Sequence, residues 1–310
     1  MSIDFGLFYS RLAAIGLILV LGYFLGKWKM ISLETNRQLV NLLLMVFMPA
    51  SLFMAFPAEF DEGALQLFFA GLVGGIVVML LLAIVAKLVF AKWIYKGELR
   101  YESQFAFIFN NATFLGYPIV VNTFGASGII AYCGFIIAFN IALFSYGIWL
   151  FERKVSMKLF WQVVTNPNII AVLLGMAIYL SGLRLPGFVT DAVGFVGNAT
   201  TPLSVICVGY MLSRADFKKI LKKWRLVLTA GLQLVLAPTI TYFATLLLHF
   251  PAEVVAVCTL IQALPTATSL GLFATKYGHN EIEASELVAI STVLSIITLP
   301  VMVFILLGGA

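Results

Sequence analysis

The chain has 310 residues, of which 62% are apolar and 11% charged, and a formal net charge of +5. Apolar runs of about 20 residues recur along it, each matching the hydrocarbon thickness of a bilayer, which excludes a water-soluble core. The basic residues lie between those runs, where anionic headgroups meet them, so the positive balance implies a lipid bilayer as partner and no nucleic acid.

In chain order the predicted spans are 6–26, 34–56, 66–91, 102–121, 127–150, 166–182, 188–212, 226–248, 252–275 and 285–307. Backbone groups in lipid must be satisfied within each segment, so long apolar runs joined by short polar loops read as helices, and the alternation of a barrel strand is missing. The expected fold class is an all-α polytopic membrane protein of ten transmembrane helices. The first run is followed by Lys27 and Lys29 rather than by a small-residue cleavage site, and reads as a retained helix, not a signal peptide.

Seventeen of the nineteen Lys and Arg residues border the odd-numbered connections. They are Lys27, Lys29 and Arg37; Lys87, Lys92, Lys96 and Arg100; Arg153, Lys154 and Lys158; Arg214, Lys218, Lys219, Lys222, Lys223 and Arg225; and Lys276. By the positive-inside rule those connections are cytoplasmic and both termini lie outside.

The string Ala-Thr-x-Leu-Gly occurs at Ala112 to Gly116 and again 155 residues later, at Ala267 to Gly271. Pro49-Ala50-Ser51 and Pro202-Leu203-Ser204 keep nearly the same offset. The spacing predicts two five-helix repeats, residues 1–152 and 159–310, and because five is odd the second enters the membrane inverted. The fourth and ninth spans are then counterparts.

Those two spans carry the chemistry. The fourth contains Asn110, Asn111, Thr113, Gly116 and Pro118; the ninth contains Gln262, Pro265, Thr266, Thr268, Ser269 and Gly271. Proline lacks an N–H and disfavours helix at the preceding residue, glycine tolerates non-helical dihedrals, and the amides can satisfy freed backbone groups, so each span is expected to break. Gly116 and Pro118 are the expected breakers of the fourth span, Pro265 and Gly271 those of the ninth. Two interrupted helices meeting near the midplane gather helix N-termini, each worth about +0.5 of a charge, around one point, which suits an anion. Asn140 in the fifth span is a further candidate for lining the pocket, weighed against simple interhelical bonding. Asn41 and Gln233 are further polar residues within spans.

Other chemistries are poorly served. Cys133, Cys207 and Cys258 lie inside apolar spans and read as small core residues, not as a disulfide framework or metal set. No His, Asp or Glu falls in mid-span to act as nucleophile, base or ligand, so an enzyme is set aside and no catalytic residue, metal or cofactor is assigned. Glu102, Glu253 and Glu286 come nearest and are expected at solvated span ends. A channel is the stronger rival, because broken helices also line pores.

The fourth-span stretch Asn111-Ala112-Thr113-Phe114-Leu115-Gly116-Tyr117-Pro118 resembles the Asn-x-x-x-x-Gly-x-Pro signature of the auxin efflux carrier family, which includes plant PIN carriers and bacterial permeases. Leu264-Pro265 and Phe273-Ala274-Thr275-Lys276-Tyr277 are similar to that family's ninth-span pattern, and the resemblance covers the whole chain. The plant members' pattern has a second proline about where Leu270 and Gly271 stand here.

The resemblance implies a bile-acid-symporter-like fold with helices 4 and 9 crossing at the substrate site, and carries Asn111 and Pro118 over as crossover and anion-site residues. Spans 1–2 and 6–7, about residues 6–56 and 166–212, would form a scaffold domain; spans 3–5 and 8–10, about 66–150 and 226–307, a transport domain. It further implies a small organic anion as substrate, a mono- or dicarboxylate such as malate, malonate or an auxin-like acid, moved by elevator or rocking alternating access across a bacterial inner membrane. Sodium- or proton-coupled symport of a bile-acid-like anion is the alternative. The carboxylate used in bile-acid-type sodium sites is not offered by Gln262, Thr266, Thr268 and Ser269. The oligomeric state is left open, a homodimer included.

Overall fold

The computed structural model describes residues 5–56, 62–91, 95, 97, 99–152, 161, 164–215 and 220–308. The charges at Lys92, Lys96, Arg153, Lys154, Lys158, Lys218 and Lys219, and the boundary between the expected repeats, lie outside the described residues. The described chain is helical, with one isolated pair of bridged residues and no strand.

In order, the helices are α1 (Phe5–Lys27); α2 (Leu33–Leu42), continued by a π-helical turn (Leu43–Phe47) into α3 (Met48–Phe53); α4 (Glu62–Val89); and α5 (Leu99–Ile108). A second π turn (Ala112–Gly116) leads into α6 (Tyr117–Ala142), and a third (Leu143–Gly147) into α7 (Ile148–Glu152). There follow α8 (Pro167–Ser181), α9 (Gly187–Asn198), α10 (Thr200–Ser213), α11 (Trp224–Leu247), α12 (Ala252–Gln262), α13 (Ser269–Tyr277) and α14 (Glu281–Leu307). Their ends carry local signals. Ser32, Asn166 and Asn280 accept the first-turn N–H groups of α2, α8 and α14, with Pro167 opening α8; Gly182 (φ 65°) and Gly278 (φ 74°) close α8 and α13 in the left-handed region.

Six helical runs among the described residues are long and apolar enough to cross a bilayer: Phe5–Lys27, Glu62–Val89, Ala112–Glu152, Gly187–Ser213, Trp224–Leu247 and Glu281–Leu307. The sequence predicts ten, and the difference has physical causes. The run from α2 to α3 begins with Glu34, Asn36 and Arg37, which lower its hydropathy. Helix α8 has only 15 residues, and α5 and α12 stop short at interruptions. Conversely, Ala112–Glu152 is 41 residues long. A straight helix of that length would reach about 60 Å, twice the hydrocarbon layer. Gly125, at φ 62° and ψ −152°, breaks it in a conformation open only to glycine.

Packing sorts the helices. α1 lies along α10, and α3 packs on α8 and α9; α4 lies along α6, and α11 along α12 and α14. Without a hydrophobic drive between helices in lipid, small residues bring backbones together for van der Waals contact. A Cβ on Gly22 would collide with the Ile206 carbonyl and one on Gly209 with that of Leu19, so α1 and α10 touch backbone to backbone. Gly71 against Ala131 and Gly134 against Phe68 do the same for α4 and α6.

The carboxylates correct one expectation. Glu286 is partly buried and pairs with Lys223, and Glu253 is partly buried. Glu102, expected at a solvated span end, is 0% exposed in the first turn of α5, a helix against which α4 and α11 pack.

Candidate functional site

Helix α5 ends at Ile108 and α12 at Gln262, and the stretches that follow run past each other. Asn110 and Thr266 form an antiparallel bridge. The Asn111 N–H donates to the Pro265 carbonyl at 2.7 Å, and the Ala267 N–H to the Phe109 carbonyl at 3.0 Å. Buried backbone groups need partners, and here each break supplies those the other has lost. Side chains extend the ladder, with Asn110 Nδ2 donating to Gln262 Oε1 at 2.6 Å.

Beyond the bridge both chains turn back into helix. Asn111 (φ −77°, ψ 56°) caps the π turn, its Oδ1 accepting the Phe114 N–H at 3.1 Å. Thr268 opens α13, whose first N–H groups have no intrahelical acceptor four residues back. Two helix N-termini therefore start from the crossing, one in each break. Asn110, Asn111, Gln262 and Thr266 are at most 2% exposed, whereas Thr113, Thr268 and Ser269 on the outgoing turns are half-buried. Asn111 Nδ2 and Gln262 Nε2 are donors without a partner; Asn110 Oδ1 and Thr266 Oγ1 are likewise unpartnered. The side chains bonded at the crossing are neutral amides and hydroxyls. Donors fixed at helix ends in a site of low dielectric can hold a carboxylate without a cationic side chain.

Not every predicted residue joins the crossing. Gly116 is helical, and its Cα faces Leu264 of the opposite break, so it permits approach rather than breaking the helix. Pro118 lies at the start of α6, where a missing N–H is accommodated as the π turn passes into α helix. The fourth-span break thus falls earlier, at Phe109 to Asn111, where the bridge replaces helical bonds. Gly271 lies within α13 against Ser285, leaving the ninth-span break to Pro265 and its neighbours. Asn140 donates to the Ile136 carbonyl at 2.7 Å and accepts from Asn166 at 3.5 Å, so its bonds lead to α8 rather than to the crossing.

Three supporting residues were not assigned to the site from sequence. Tyr132 donates to the Ala112 carbonyl at 3.0 Å, Gln233 Nε2 to the Leu264 carbonyl at 2.5 Å, and Ser291 Oγ accepts the Thr266 N–H at 3.1 Å. Gln233 and Ser291, from α11 and α14, replace helical bonds with side-chain bonds, whereas Tyr132, from α6, adds a bond to a carbonyl that also accepts the Tyr117 N–H. Gln233 was legible as a polar residue inside an apolar span. Tyr132 and Ser291 are ordinary span residues until the packing brings them to the breaks.

A bundle of bilayer-length helices organised around two crossed, interrupted helices is the arrangement in which secondary transporters hold their substrates. The chain belongs to the Mem_trans family of membrane transport proteins, whose model matches residues 7–303. The resemblance to auxin efflux carriers is borne out by that match, and the family is one of membrane transport proteins rather than of enzymes.

Among its relatives, an "Uncharacterized transporter" of Methanothermobacter thermautotrophicus is 26% identical over 192 residues, covering 61% of this chain and 63% of the relative. The "Putative malonate transporter" of Rhizobium meliloti is 25% identical over 158 residues, 50% of this chain and 48% of that protein. An "Uncharacterized transporter" of Methanocaldococcus jannaschii is 25% identical over 213 residues, 65% and 68% of the two chains. The chain thus spans 63% and 48% of the lengths of the first two relatives.

Proposed function

We propose that the protein is a secondary transporter of small organic anions, mono- or dicarboxylates of the malonate or malate kind, with its substrate site at the crossing of the fourth and ninth spans. The observation that carries this reading is the pair of unpartnered amide donors, Asn111 Nδ2 and Gln262 Nε2, beside two helix N-termini at a bridge free of bonded charged side chains. Asn110, Thr113, Thr266, Thr268 and Ser269 complete the proposed lining. The named malonate transporter among the relatives supports the substrate class.

Ten spans in two inverted five-helix repeats form the framework of this reading. The break at Gly125 supports it by dividing one 41-residue run into two crossings, and the paired interruptions support it by their matching construction. The described basic residues Lys27, Lys29, Arg37, Lys87, Arg100, Arg214, Lys222, Lys223, Arg225 and Lys276 favour cytoplasmic odd connections and external termini in a bacterial inner membrane.

Alternating access requires two bodies. α1, α2, α3, α8, α9 and α10 make the scaffold; α4 to α7 and α11 to α14 make the transport domain. Supporting this division, the tight glycine contacts between helices pair members of the same body: Gly22 and Gly209 within the first, Gly71 and Gly134 within the second, Gly175 on Phe53, and Gly74 on Val254. Interlocked backbones move together, and side-chain contacts between the bodies can slide.

Counterflow tests the proposal. Proteoliposomes preloaded with malonate are expected to take up radiolabelled malonate faster than empty ones. Equal uptake with and without internal malonate would mean a pore. No flux of any mono- or dicarboxylate through folded protein would remove the organic-anion reading.

A further inference from the structure

Gln233 lies on α11, outside the two crossing segments, and is 0% exposed. Its Nε2 donates to the Leu264 carbonyl at 2.5 Å, while its Oε1 has no partner. In a continuous helix the Leu264 carbonyl would accept from the N–H four residues on. That residue is Thr268, which instead begins α13, and the intervening Pro265 has no N–H to offer. The carbonyl is buried, so without a donor it would carry the full desolvation cost of an unmade bond.

We propose that Gln233 is a positioning residue for the carrier, whose amide N–H holds the ninth-span break in register with the fourth-span break. The geometry gives the route. Fixing the Leu264 carbonyl fixes the adjoining Pro265 carbonyl that accepts from Asn111, and next to it Thr266, the bridge partner of Asn110. Ser291 holds the Thr266 N–H from the opposite side, so the break is pinned by α11 and α14 at once. An amide with one unsatisfied end is costly where an aliphatic side chain of similar size would pack freely. The retained amide is explained by the end that is bonded. This role rests on the reading that the crossing holds the substrate.

Simple interhelical glue between α11 and α12 would act on the stability of the whole fold; a positioning role acts on the crossing. Hydrogen–deuterium exchange of the full-length protein separates them without a substrate. Gln233→Leu is expected to lose protection, by roughly tenfold or more, in peptides covering 263–268 and 109–112, with helices α1 and α10 unchanged. Gln233→Glu is expected to keep protection in acid, where the carboxyl donates an O–H, and to lose it as the group ionises and becomes an acceptor only. Retention at every pH also supports the role, since the donor then persists.

Wild-type protection in Gln233→Leu, uniform loss across the fold, or Gln233→Glu as unprotected in acid as Gln233→Leu would each overturn it. Malonate uptake into proteoliposomes provides the functional arm, with Asn111→Ala alongside. Impaired Asn111→Ala with unimpaired Gln233→Leu removes the positioning role alone. Wild-type uptake by Asn111→Ala removes the site reading instead, while the exchange result still decides whether Gln233 holds the break.

Discussion

The main-chain N–H of Asn111 bonds the main-chain carbonyl of Pro265 at 2.7 Å, so one half of the chain closes the interruption in the other. A bond between backbones survives side-chain substitution. Variants at the crossing can therefore separate ligand binding from the integrity of the crossing itself.

The two amide atoms of Asn111 differ: Oδ1 caps the π turn and Nδ2 is unpartnered. Asn111→Ala is expected to cost about 1 kcal/mol through the lost cap and to weaken anion binding as well. Asn111→Asp keeps a capping oxygen while placing a like charge beside the substrate. It is expected to fold and to lose malonate-induced thermal stabilisation altogether. A wild-type thermal shift with malonate in Asn111→Asp would exclude this residue from the site.

Asn110 and Gln262 bond each other at 2.6 Å, and both are buried. Either single change to leucine leaves an amide without that partner and is expected to destabilise by about 1–3 kcal/mol. The double change leaves no orphaned partner, so its cost should fall short of the sum by roughly 1 kcal/mol in a double-mutant cycle read by chemical unfolding in detergent. Strict additivity would mean that the pair contributes no mutual energy.

Gly125 and Gly231 are both open to a Cβ, with nothing within 4 Å of either, and differ in backbone conformation. Gly125→Ala is expected to cost about 1–3 kcal/mol, because its dihedrals exclude a side chain. Gly231→Ala, inside α11, is expected to stabilise by about 0.5–1 kcal/mol. Thermal unfolding of the two variants should move in opposite directions.

Much of this architecture is legible in one dimension. Apolar runs mark the helices that cross the bilayer because lipid leaves backbone groups no other partners. The repeated Ala-Thr-x-Leu-Gly string and the amides before it mark the two segments that break, because polar groups in an apolar span require a reason. Asn110, Asn111, Gln262, Pro265 and Thr266 all come together at the bridge.

Sequence alone determined the solvent, the family and the two segments that break, since composition and short motifs are local properties of the chain. Only the tertiary structure decided where each break falls and what holds it. Gly116 and Gly271 carry the expected signals yet lie in helix, where their missing side chains admit Leu264 and Ser285. Tyr132 and Ser291 give no local sign of their task, and Gln233 shows only that it is polar, because a hydrogen bond to a distant carbonyl or N–H exists only once the helices have packed.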